Sequence, residues 1–371
     1  MSRKKVCLFV VTEDWYFLSH RMKLATDALK RGYDVYVITH CTNKKKIIEA
    51  FGIKVINWKL KRKSFNLITE FNTIRHLYYE IKRLKPQILF SVALKPIIYS
   101  LLLKIFLKET KIINYFGGLG YIFTSNKLSV YFLKYVISSL LRILFMQKNA
   151  IVIVQNKDDF NYFKNKIVNK KKLNLIPGSG VDIRFFEIKK RSKNNNIILL
   201  PARMLWSKGI REFVECAKLV EKKNPKLKFI LAGYPDYENP DAVSINYLKS
   251  LKLQKNVEWI GNSDDIISLY KKTLIVLFPS YREGMPKTLL EASSCGIPII
   301  SFNVVGCRQI VKDGYNGILV PFGNINLLAK NILKLCDNKE LYSTLSINGR
   351  ELVSKNYSSD IINKKILELW E

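Results

Sequence analysis

Two glutamates eight positions apart, Glu283 and Glu291, stand in a stretch that predicts a strand, a sharp loop and a helix. The uncharged run 274–278 is rich in branched and aromatic side chains, which suits a buried parallel strand. Gly284 predicts a tight turn with a positive φ, and Pro286 predicts the first residue of the helix. The free N–H groups at that helix start predict a site for an anion such as a diphosphate.

The positions of the charged side chains indicate what this site could do. Glu283 follows the carboxyl end of the predicted strand, where open α/β sheets bind ligands. Glu291 lies about one turn inside the helix, where a carboxylate can accept hydrogen bonds from two neighbouring sugar hydroxyls. Arg203 and Lys208 follow another predicted strand, 197–201. In a doubly wound sheet the two strands are neighbours, and the cations would stabilise charge building on a diphosphate leaving group.

The run from Glu283 to Glu291, with Gly284, Met285 and Pro286 between them, resembles the E-x7-E signature of family 4 glycosyltransferases, which have the GT-B fold. The likeness covers nearly the whole chain. It implies transfer of a sugar from a nucleotide donor to an acceptor with retention at the anomeric carbon. It also implies that Glu283 contacts the donor sugar, that Glu291 binds the ribose, and that backbone amides of the intervening residues hold the sugar and phosphate.

The resemblance assigns further residues on the donor side. Arg203, Lys208 and Gly209 match the family's Arg…Lys-Gly pair, which stabilises the departing UDP. The base and ribose are expected beside residues that follow the next two strands: Gly233, Tyr234 and Asn262. No protein nucleophile is required, since the leaving phosphate oxygen can take the acceptor's proton on the same face. No cofactor is implied and no metal is required: the UDP-sugar is a substrate, and the chain has three His and no D-x-D in context.

Segments of the first half resemble a bacterial branch of this family that builds O-antigen, capsule and protein-linked glycans. That branch often extends a polyprenyl-diphosphate-linked sugar with a hexose or an N-acetylhexosamine. Many family members place a His in the acceptor-side loop that here reads 114–117, and this chain has none there. The residues expected on the acceptor side are therefore the catalytic candidate His20, with Arg21, Lys95, Gly118 and Gly120.

Outside the motifs, strands alternate with helices, which predicts two doubly wound Rossmann-like domains facing across a cleft. Strands are predicted at 6–11, 35–39, 54–58, 87–91, 111–115, 150–154, 197–201, 228–232, 257–260, 274–278, 299–302 and 318–320. Helices are predicted at 22–30, 44–51, 67–84, 128–146, 209–221 and 359–370, and a loop facing the cleft at 12–21. The predicted domains are an acceptor-binding domain at 1–180, a nucleotide-sugar-binding domain at 181–355, and a helix at 356–371 that crosses back to the first.

The 371-residue chain has a formal net charge of +32, concentrated in its first half. Residues 1–180 contain 33 Lys and Arg against 10 Asp and Glu, whereas the remainder contains 29 against 20. Two explanations stay open. One is a genome bias toward Lys and Asn; the other is attraction to an anionic membrane surface, at roughly 1 kcal/mol per basic residue near the lipid. Nucleic acid is not expected as a partner, because the sequence has no zinc finger, RNP-type aromatic motif or recognition helix.

Two segments, 88–107 and 128–146, are strongly apolar but are interrupted by basic residues. Neither reaches the ~20 consecutive apolar residues that a membrane span requires. The second predicts either a core helix or a helix lying in the bilayer interface. Six scattered cysteines without a C-x-x-C pair indicate a reducing compartment, and no secretory signal is recognised. We therefore expect a cytoplasmic protein peripherally associated with the inner face of the plasma membrane.

These patterns together predict a retaining transferase of cell-surface polysaccharide synthesis. It would move a hexose or N-acetylhexosamine from a UDP-sugar to a polyprenyl-diphosphate-linked sugar. One alternative is a UDP-sugar 2-epimerase of the same fold, which would need no acceptor but lacks the Glu-Gly-Met-Pro…Glu arrangement. Another is a non-catalytic scaffold docked on a membrane, which does not explain the set Glu283, Glu291, Arg203 and Lys208.

Overall fold

The computed structural model describes residues 4–62, 64, 66–118, 128–188, 195–263 and 265–371. The chain divides into two compact units, one formed by Met1–Ser179 with Ile362–Glu371 and the other by Gly180–Ile361. Each unit contains one parallel β-sheet covered by helices. Two α/β units of this kind confirm the predicted fold class.

The first unit is built on a seven-stranded sheet. Its strands are β1 Val6–Glu13, β2 Asp34–His40, β3 Lys54–Asn57, β4 Ile88–Val92, β5 Lys111–Phe116, β6 Ala150–Val154 and β7 Leu173–Leu175. They lie in the order β3-β2-β1-β4-β5-β6-β7, and all of their pairings are parallel. Side chains on these strands alternate between one buried cluster on one face and two adjoining buried clusters on the other, which is the pattern of a sheet covered on both faces.

The helices described in this unit are α1 Asp14–His20, α2 Met22–Lys30, α3 Lys45–Glu49, α4 Leu67–Leu84, α5 Leu94–Leu103, α6 Leu128–Leu144 and α7 Lys157–Lys166. Helices α4, α5 and α6 pack on the same face of the sheet. Leu77 of α4 and Leu103 of α5 share one buried cluster, whereas Leu101 of α5 and Leu141 of α6 share the adjoining one. The opposite face is covered by α2 and by residues from the far end of the chain.

The second unit is built on a six-stranded parallel sheet in the order β10-β9-β8-β11-β12-β13. Its strands are β8 Ile197–Pro201, β9 Lys228–Ala232, β10 Val257–Trp259, β11 Thr273–Phe278, β12 Ile299–Phe302 and β13 Gly317–Val320. Its helices are α8 Ile210–Glu221, α9 Ile245–Ser250, α10 Ile266–Lys272, α11 Lys287–Ser294, α12 Cys307–Ile310, α13 Ile325–Asp337 and α14 Lys339–Asn356. The last helix of the chain, α15 Ser359–Glu368, begins in this unit and ends in the first.

Every predicted strand is confirmed to within two residues at each end, and among the strands of the described residues only β7 was not predicted. The predicted loop at 12–21 is wrong, because Asp14–His20 forms α1. The segment has no Gly or Pro to break a helix, and Asp14 holds its start in place. The buried Asp14 carboxylate accepts hydrogen bonds from the Thr42 N–H at 2.7 Å, the Thr42 hydroxyl at 2.7 Å and the Lys44 N–H at 3.0 Å.

Trp370 completes the core of the first unit. Its ring is buried and packs against Tyr33, Phe9 and Phe90, with ring centroids 5.4, 6.2 and 6.3 Å away. We expect Trp370→Ala to lower the free energy of unfolding of this unit by about 3–5 kcal/mol, because a large buried ring is lost and a cavity remains. Guanidinium denaturation measures the free energy of unfolding. Phe51→Ala, at an exposed ring of the same unit, is the control and should change this free energy by about 0.5 kcal/mol or less. An equal effect of both substitutions would contradict the prediction.

Candidate functional site

Two loops meet at the carboxyl edge of the second sheet. β8 and β11 are hydrogen-bonded neighbours, as predicted, so the loops that follow them lie side by side. The Tyr281 N–H donates to the Ser207 carbonyl at 2.9 Å. Gly209 has a φ of 78°, and a Cβ there would lie 2.0 Å from the Pro279 carbonyl oxygen. Only glycine allows the two backbones to approach this closely.

The structure brings Lys208 and Glu283 together, although 75 positions separate them. Lys208 Nζ forms an ion pair with Glu283 Oε1, and the two side chains are only 15% and 10% exposed. The same carboxylate oxygen accepts a hydrogen bond from the Ser280 hydroxyl at 2.8 Å. Ser280 is fully buried and was not predicted as a site residue; its position directly after a strand was the available indication. Glu283 is therefore held by two donors at the strand ends.

The backbone of Glu283 is also fixed. Its N–H donates to the Val305 carbonyl at 3.1 Å. Gly306 has a φ of 86°, and a Cβ there would lie 2.5 Å from the Glu283 carbonyl oxygen. The predicted positive φ at Gly284 is wrong; the glycine that needs a left-handed conformation at this point is Gly306, whose backbone lies against Glu283. The loop takes its shape from this second chain segment rather than from Gly284.

The helix after Glu283 is α11, and it starts one residue later than predicted. Pro286 is the N-cap residue, and the described side chains provide no capping hydrogen bond there. The Met285 side chain is buried in the core, so only its backbone remains for a ligand. Because no side chain caps it, the start of α11 leaves N–H groups that can bind an anion.

Glu291 is held by a different set of side chains from the one that holds Glu283. Its carboxylate contacts Lys287 Nζ at 3.0 Å and the Tyr270 hydroxyl at 3.3 Å. Burial and the nearby Glu291 charge raise the pKa of Tyr270 well above its usual value. The phenol therefore stays protonated and donates a hydrogen bond to the Glu291 carboxylate. Neither partner was predicted, though Lys287 stands four positions before Glu291 on the same helix face, a spacing that brings side chains together.

Arg203 is held by an acid that the sequence prediction did not include. Its Nη1 lies 2.7 Å from Asp236 Oδ2, and its side chain is 44% exposed. Asp236 follows β9, the neighbour of β8 in the sheet. The guanidinium thus stands at the same sheet edge as Lys208 and remains accessible to a ligand.

Gly233, Tyr234 and Asn262 lie at the carboxyl ends of β9 and β10, as predicted. Gly233 has a φ of 144°, and a Cβ there would lie 2.0 Å from the Ala202 carbonyl oxygen. The Gly233 N–H donates to the Gly261 carbonyl at 2.7 Å, which ties the two strand ends together. The Tyr234 ring lies against Gly261 and Trp259, with Asn262 exposed beside it. These residues form an open aromatic platform at the sheet edge.

Two of the predicted acceptor-side residues in the first unit, His20 and Lys95, contact neighbouring residues of the same unit. The His20 ring stacks on Tyr16 at 4.3 Å, and its Nδ1 lies 2.5 Å from the Ser19 hydroxyl. Lys95 Nζ donates to the carbonyls of Lys61 and Ser64 at 2.9 and 2.6 Å and pairs with the Glu70 carboxylate at 2.8 Å. Lys95 therefore holds a loop in the described structure.

Arg21 is 1% exposed, so the structure does not bring it to the surface. Its guanidinium lies 3.6 Å from the centroid of the Tyr115 ring. Its Nε and Nη2 have no hydrogen-bond partner among the described residues. Burial raises the pKa of Tyr115 to about 12, so a neutral ring faces the cation. Gly118, with a φ of 126°, is described at the end of β5, whereas Gly120 lies outside the described residues.

The chemistry available at the second unit follows from these contacts. Two cations, an uncapped helix start and a held carboxylate share one sheet edge, which suits a ligand with a diphosphate and a sugar. Burial raises the pKa of the nearby Cys307 thiol far above its ordinary value, so that thiol is no nucleophile at neutral pH. Within the described ranges, no group of three or more His, Cys, Asp or Glu residues could hold a metal ion.

Family models match both halves of the chain. Residues 182–352 match the model of group 1 glycosyl transferases, and residues 5–156 match the glycosyl transferase 4-like model. The chain belongs to the glycosyltransferases. The first match includes every donor-side residue discussed above, and the second includes His20, Arg21 and Lys95.

Two curated relatives of this glycosyltransferase are named for lipid-linked acceptors. One is the N,N'-diacetylbacillosaminyl-diphospho-undecaprenol alpha-1,3-N-acetylgalactosaminyltransferase of Campylobacter jejuni, 27% identical over 96% of this chain and 97% of its own length. The other is the UDP-Gal:alpha-D-GlcNAc-diphosphoundecaprenol alpha-1,3-galactosyltransferase of Escherichia coli, 28% identical over 57% of this chain and 55% of its own.

Solved structures of similar shape confirm the GT-B fold. Anabaena HepE in complex with UDP and glucose superposes with a TM-score of 0.81, 16% identity and 99% coverage of both chains. Sucrose-phosphate synthase from Thermosynechococcus elongatus gives a TM-score of 0.80, 16% identity, and 99% and 98% coverage of this chain and its own. At these identities the likeness shows the fold alone. Over the part of the chain that the structure describes, no helix is both long and apolar enough to cross a bilayer.

Proposed function

We propose that this glycosyltransferase moves a hexose or an N-acetylhexosamine from a UDP-sugar to a polyprenyl-diphosphate-linked sugar. The observation that carries the proposal is the Lys208–Glu283 pair beside the uncapped start of α11. A diphosphate fits the cation and the helix start, and a sugar attached to it would reach the carboxylate. Relatives named for diphospho-undecaprenol-linked acceptors support the acceptor class.

In the proposed complex the donor diphosphate competes with Glu283 for Lys208. Lys208 and Arg203 then bind the diphosphate, and Glu283, still held by Ser280, accepts a hydrogen bond from the donor sugar. Glu291 binds the ribose hydroxyls, with Lys287 and Tyr270 keeping its carboxylate in place. The bond between the anomeric carbon and the diphosphate breaks as the acceptor oxygen attacks the same face. The departing phosphate oxygen takes the acceptor's proton, so the anomeric configuration is retained and no metal or other cofactor takes part.

The proposed site of action is the inner face of the plasma membrane. The acceptor lipid is anchored there, and the first half of the chain carries the excess positive charge. An anionic membrane surface would attract this positively charged first half of the chain. Nucleic acid is not proposed as a partner.

UDP release by the purified protein tests the function. A panel of UDP-sugars would be assayed with and without a lipid-diphosphate-linked sugar. Release that requires both the donor and the lipid acceptor supports the proposal and names the donor. Consumption of a UDP-sugar without acceptor, giving an epimer, would favour a 2-epimerase, and the absence of turnover with every donor would favour a scaffold. A trapped glycosyl-enzyme adduct would refute the same-face mechanism.

Ser280 provides a sharper test of how Glu283 is held. Ser280→Ala removes the hydrogen bond at 2.8 Å to the Glu283 carboxylate. A bond to a charged group is worth about 1.5–3 kcal/mol, so we expect kcat to fall about 10- to 100-fold. Ser293→Ala is the matched control, since Ser293 is a buried serine of α11 whose hydroxyl has no partner among the described residues. Equal rates for the Ser280→Ala protein and the wild type would show that the Ser280 hydroxyl is not needed to position Glu283.

A further inference from the structure

The outward surface of α4, α5 and α6 in the first unit is unusually apolar. Because all three helices pack on one face of the sheet, their other sides point away from the sheet in the same direction. We call this surface the three-helix face. Exposed apolar surface of this extent marks a site of interaction.

Helix α6 contributes an exposed aromatic stripe. Tyr131, Phe132 and Tyr135 are exposed, Phe132 by 70%, and Ile143 continues the stripe about two turns after Tyr135. Leu141 on the opposite side of the helix is fully buried. A surface helix of a globular protein normally has one apolar side, turned to the core. Helix α6 has two.

Helix α4 repeats the pattern. Its first turns expose Leu67, Ile68 and Phe71, the last by 64%. Arg75 stacks over the Tyr79 ring at 5.6 Å on the same side, so aromatic and basic groups alternate along the helix. Tyrosines and basic side chains are the residues that lie at a membrane–water interface, with apolar parts in lipid and polar ends in water.

The end of α5 connects these two stripes. Ile105 and Phe106, in the helical turn that follows α5, are exposed, Phe106 by 62%. The Phe106 ring lies 5.5 Å from that of Tyr78 on α4. On the other side, the Gln147 side chain just beyond α6 donates to the Leu101 carbonyl at 3.0 Å. The end of α5 therefore contacts α4 on one side and the segment just beyond α6 on the other, and all three helices carry exposed apolar side chains.

The charge around the three-helix face indicates what kind of partner it binds. Residues 67–148 contain 12 Lys and Arg but only 3 Asp and Glu. Two of these acids, Glu70 and Glu80, are paired within the unit with Lys95 and Arg83. Exposed bases such as Lys82 and Lys108 border the groove between α4 and the turn after α5. A positive rim around apolar and aromatic groups is complementary to an anionic lipid surface.

We propose that the three-helix face docks the first unit on an anionic lipid bilayer, with Ile105 and Phe106 inserted among the lipids. The docking deepens the proposed function, because it would bring the protein to the membrane that holds its acceptor. The docking rests on the proposed function only for its biological purpose. Binding to lipid depends on the exposed side chains of the three-helix face and not on the transfer reaction.

Vesicle sedimentation with the full-length protein tests the docking. We expect binding to vesicles of phosphatidylcholine with phosphatidylglycerol, weaker binding to phosphatidylcholine alone, and a loss of binding as salt is raised. The double variant Ile105→Ser, Phe106→Ser should bind the anionic vesicles about tenfold or more less tightly. Ile347→Ser, at an exposed isoleucine of α14 in the second unit, is the matched control and should bind like the wild type.

The outcomes separate this docking from the transferase function. A double variant that loses vesicle binding, yet releases UDP with a short-chain water-soluble acceptor at the wild-type rate, supports the docking. A wild-type protein that is active but binds neither vesicle overturns the docking and leaves the transferase standing. Vesicle binding without turnover overturns the transferase and not the docking. Unchanged binding by the double variant also overturns the proposal.

Discussion

Replacing Glu283 with alanine is expected to lower kcat/KM for UDP release by about 100-fold or more. The side chain is 10% exposed and is held by Lys208 and Ser280, so its carboxylate has one defined position. In the proposed mechanism that position fixes the donor sugar relative to the acceptor. Its loss should therefore reduce kcat and not only weaken donor binding. Steady-state rates at saturating donor and lipid acceptor measure this.

Controls separate a catalytic effect of Glu283 from misfolding. Glu215→Ala, at an exposed glutamate of α8, is the matched control and should keep the wild-type rate. Thermal unfolding of both variants should show that each is folded at the assay temperature. An active-site role would be refuted if Glu283→Ala kept its rate to within a few-fold while remaining folded.

Replacing Lys208 with alanine is expected to reduce kcat by about 10²- to 10³-fold, the usual effect of removing one group that stabilises developing charge. Lys208 is the cation that the structure places in contact with Glu283, 15% exposed and anchored between two loops. In the proposed reaction it neutralises the diphosphate as the bond to the sugar breaks. The KM for the UDP-sugar should rise as well, because the ground state also carries the diphosphate.

A double-mutant cycle tests whether the two residues act together. Since Lys208 and Glu283 are in contact, the variant lacking both side chains should lose less activity than the two single losses multiplied together. Lys218→Ala, at an exposed lysine of α8, is the matched control. Strictly multiplicative losses would show that the two side chains act independently of each other, and a Lys208→Ala protein with unchanged kcat would show that the ion pair plays no part in catalysis.

Much of the fold could be predicted from the sequence because its strands are buried on both faces. Uninterrupted apolar runs such as that of β11 mark central strands, and glycines after helices mark their ends. The prediction missed α1 because a polar, aromatic segment after a strand resembles a ligand-binding loop. What makes it a helix is long-range: Asp14 bonds to Thr42 and Lys44, and Phe17 enters the core.

The positions of the candidate site residues in the fold could be predicted from the sequence better than the contacts they make. The side chains at the carboxyl ends of β8 and β11 follow from sheet order, so the proximity of Lys208 to Glu283 was expected. The groups that orient them come from other parts of the chain and carry no local pattern. Asp236, for example, stands 33 residues from the Arg203 that it holds. Gly306 fixes the backbone of Glu283 from the next strand's loop, which no spacing near Glu283 reveals.

The place of residues Ile362–Glu371 in the first unit has a consequence for biosynthesis. A ribosome makes the whole of Gly180–Ile361 before it makes these residues. At about 5–20 residues per second, that interval lasts roughly 10 to 40 seconds. During it, the groove that will receive Trp370 stays open, with Phe9 and Phe90 unshielded on the nascent chain. The first unit therefore cannot complete this part of its core until Trp370 has been made, and its aromatic rings need protection from aggregation until then.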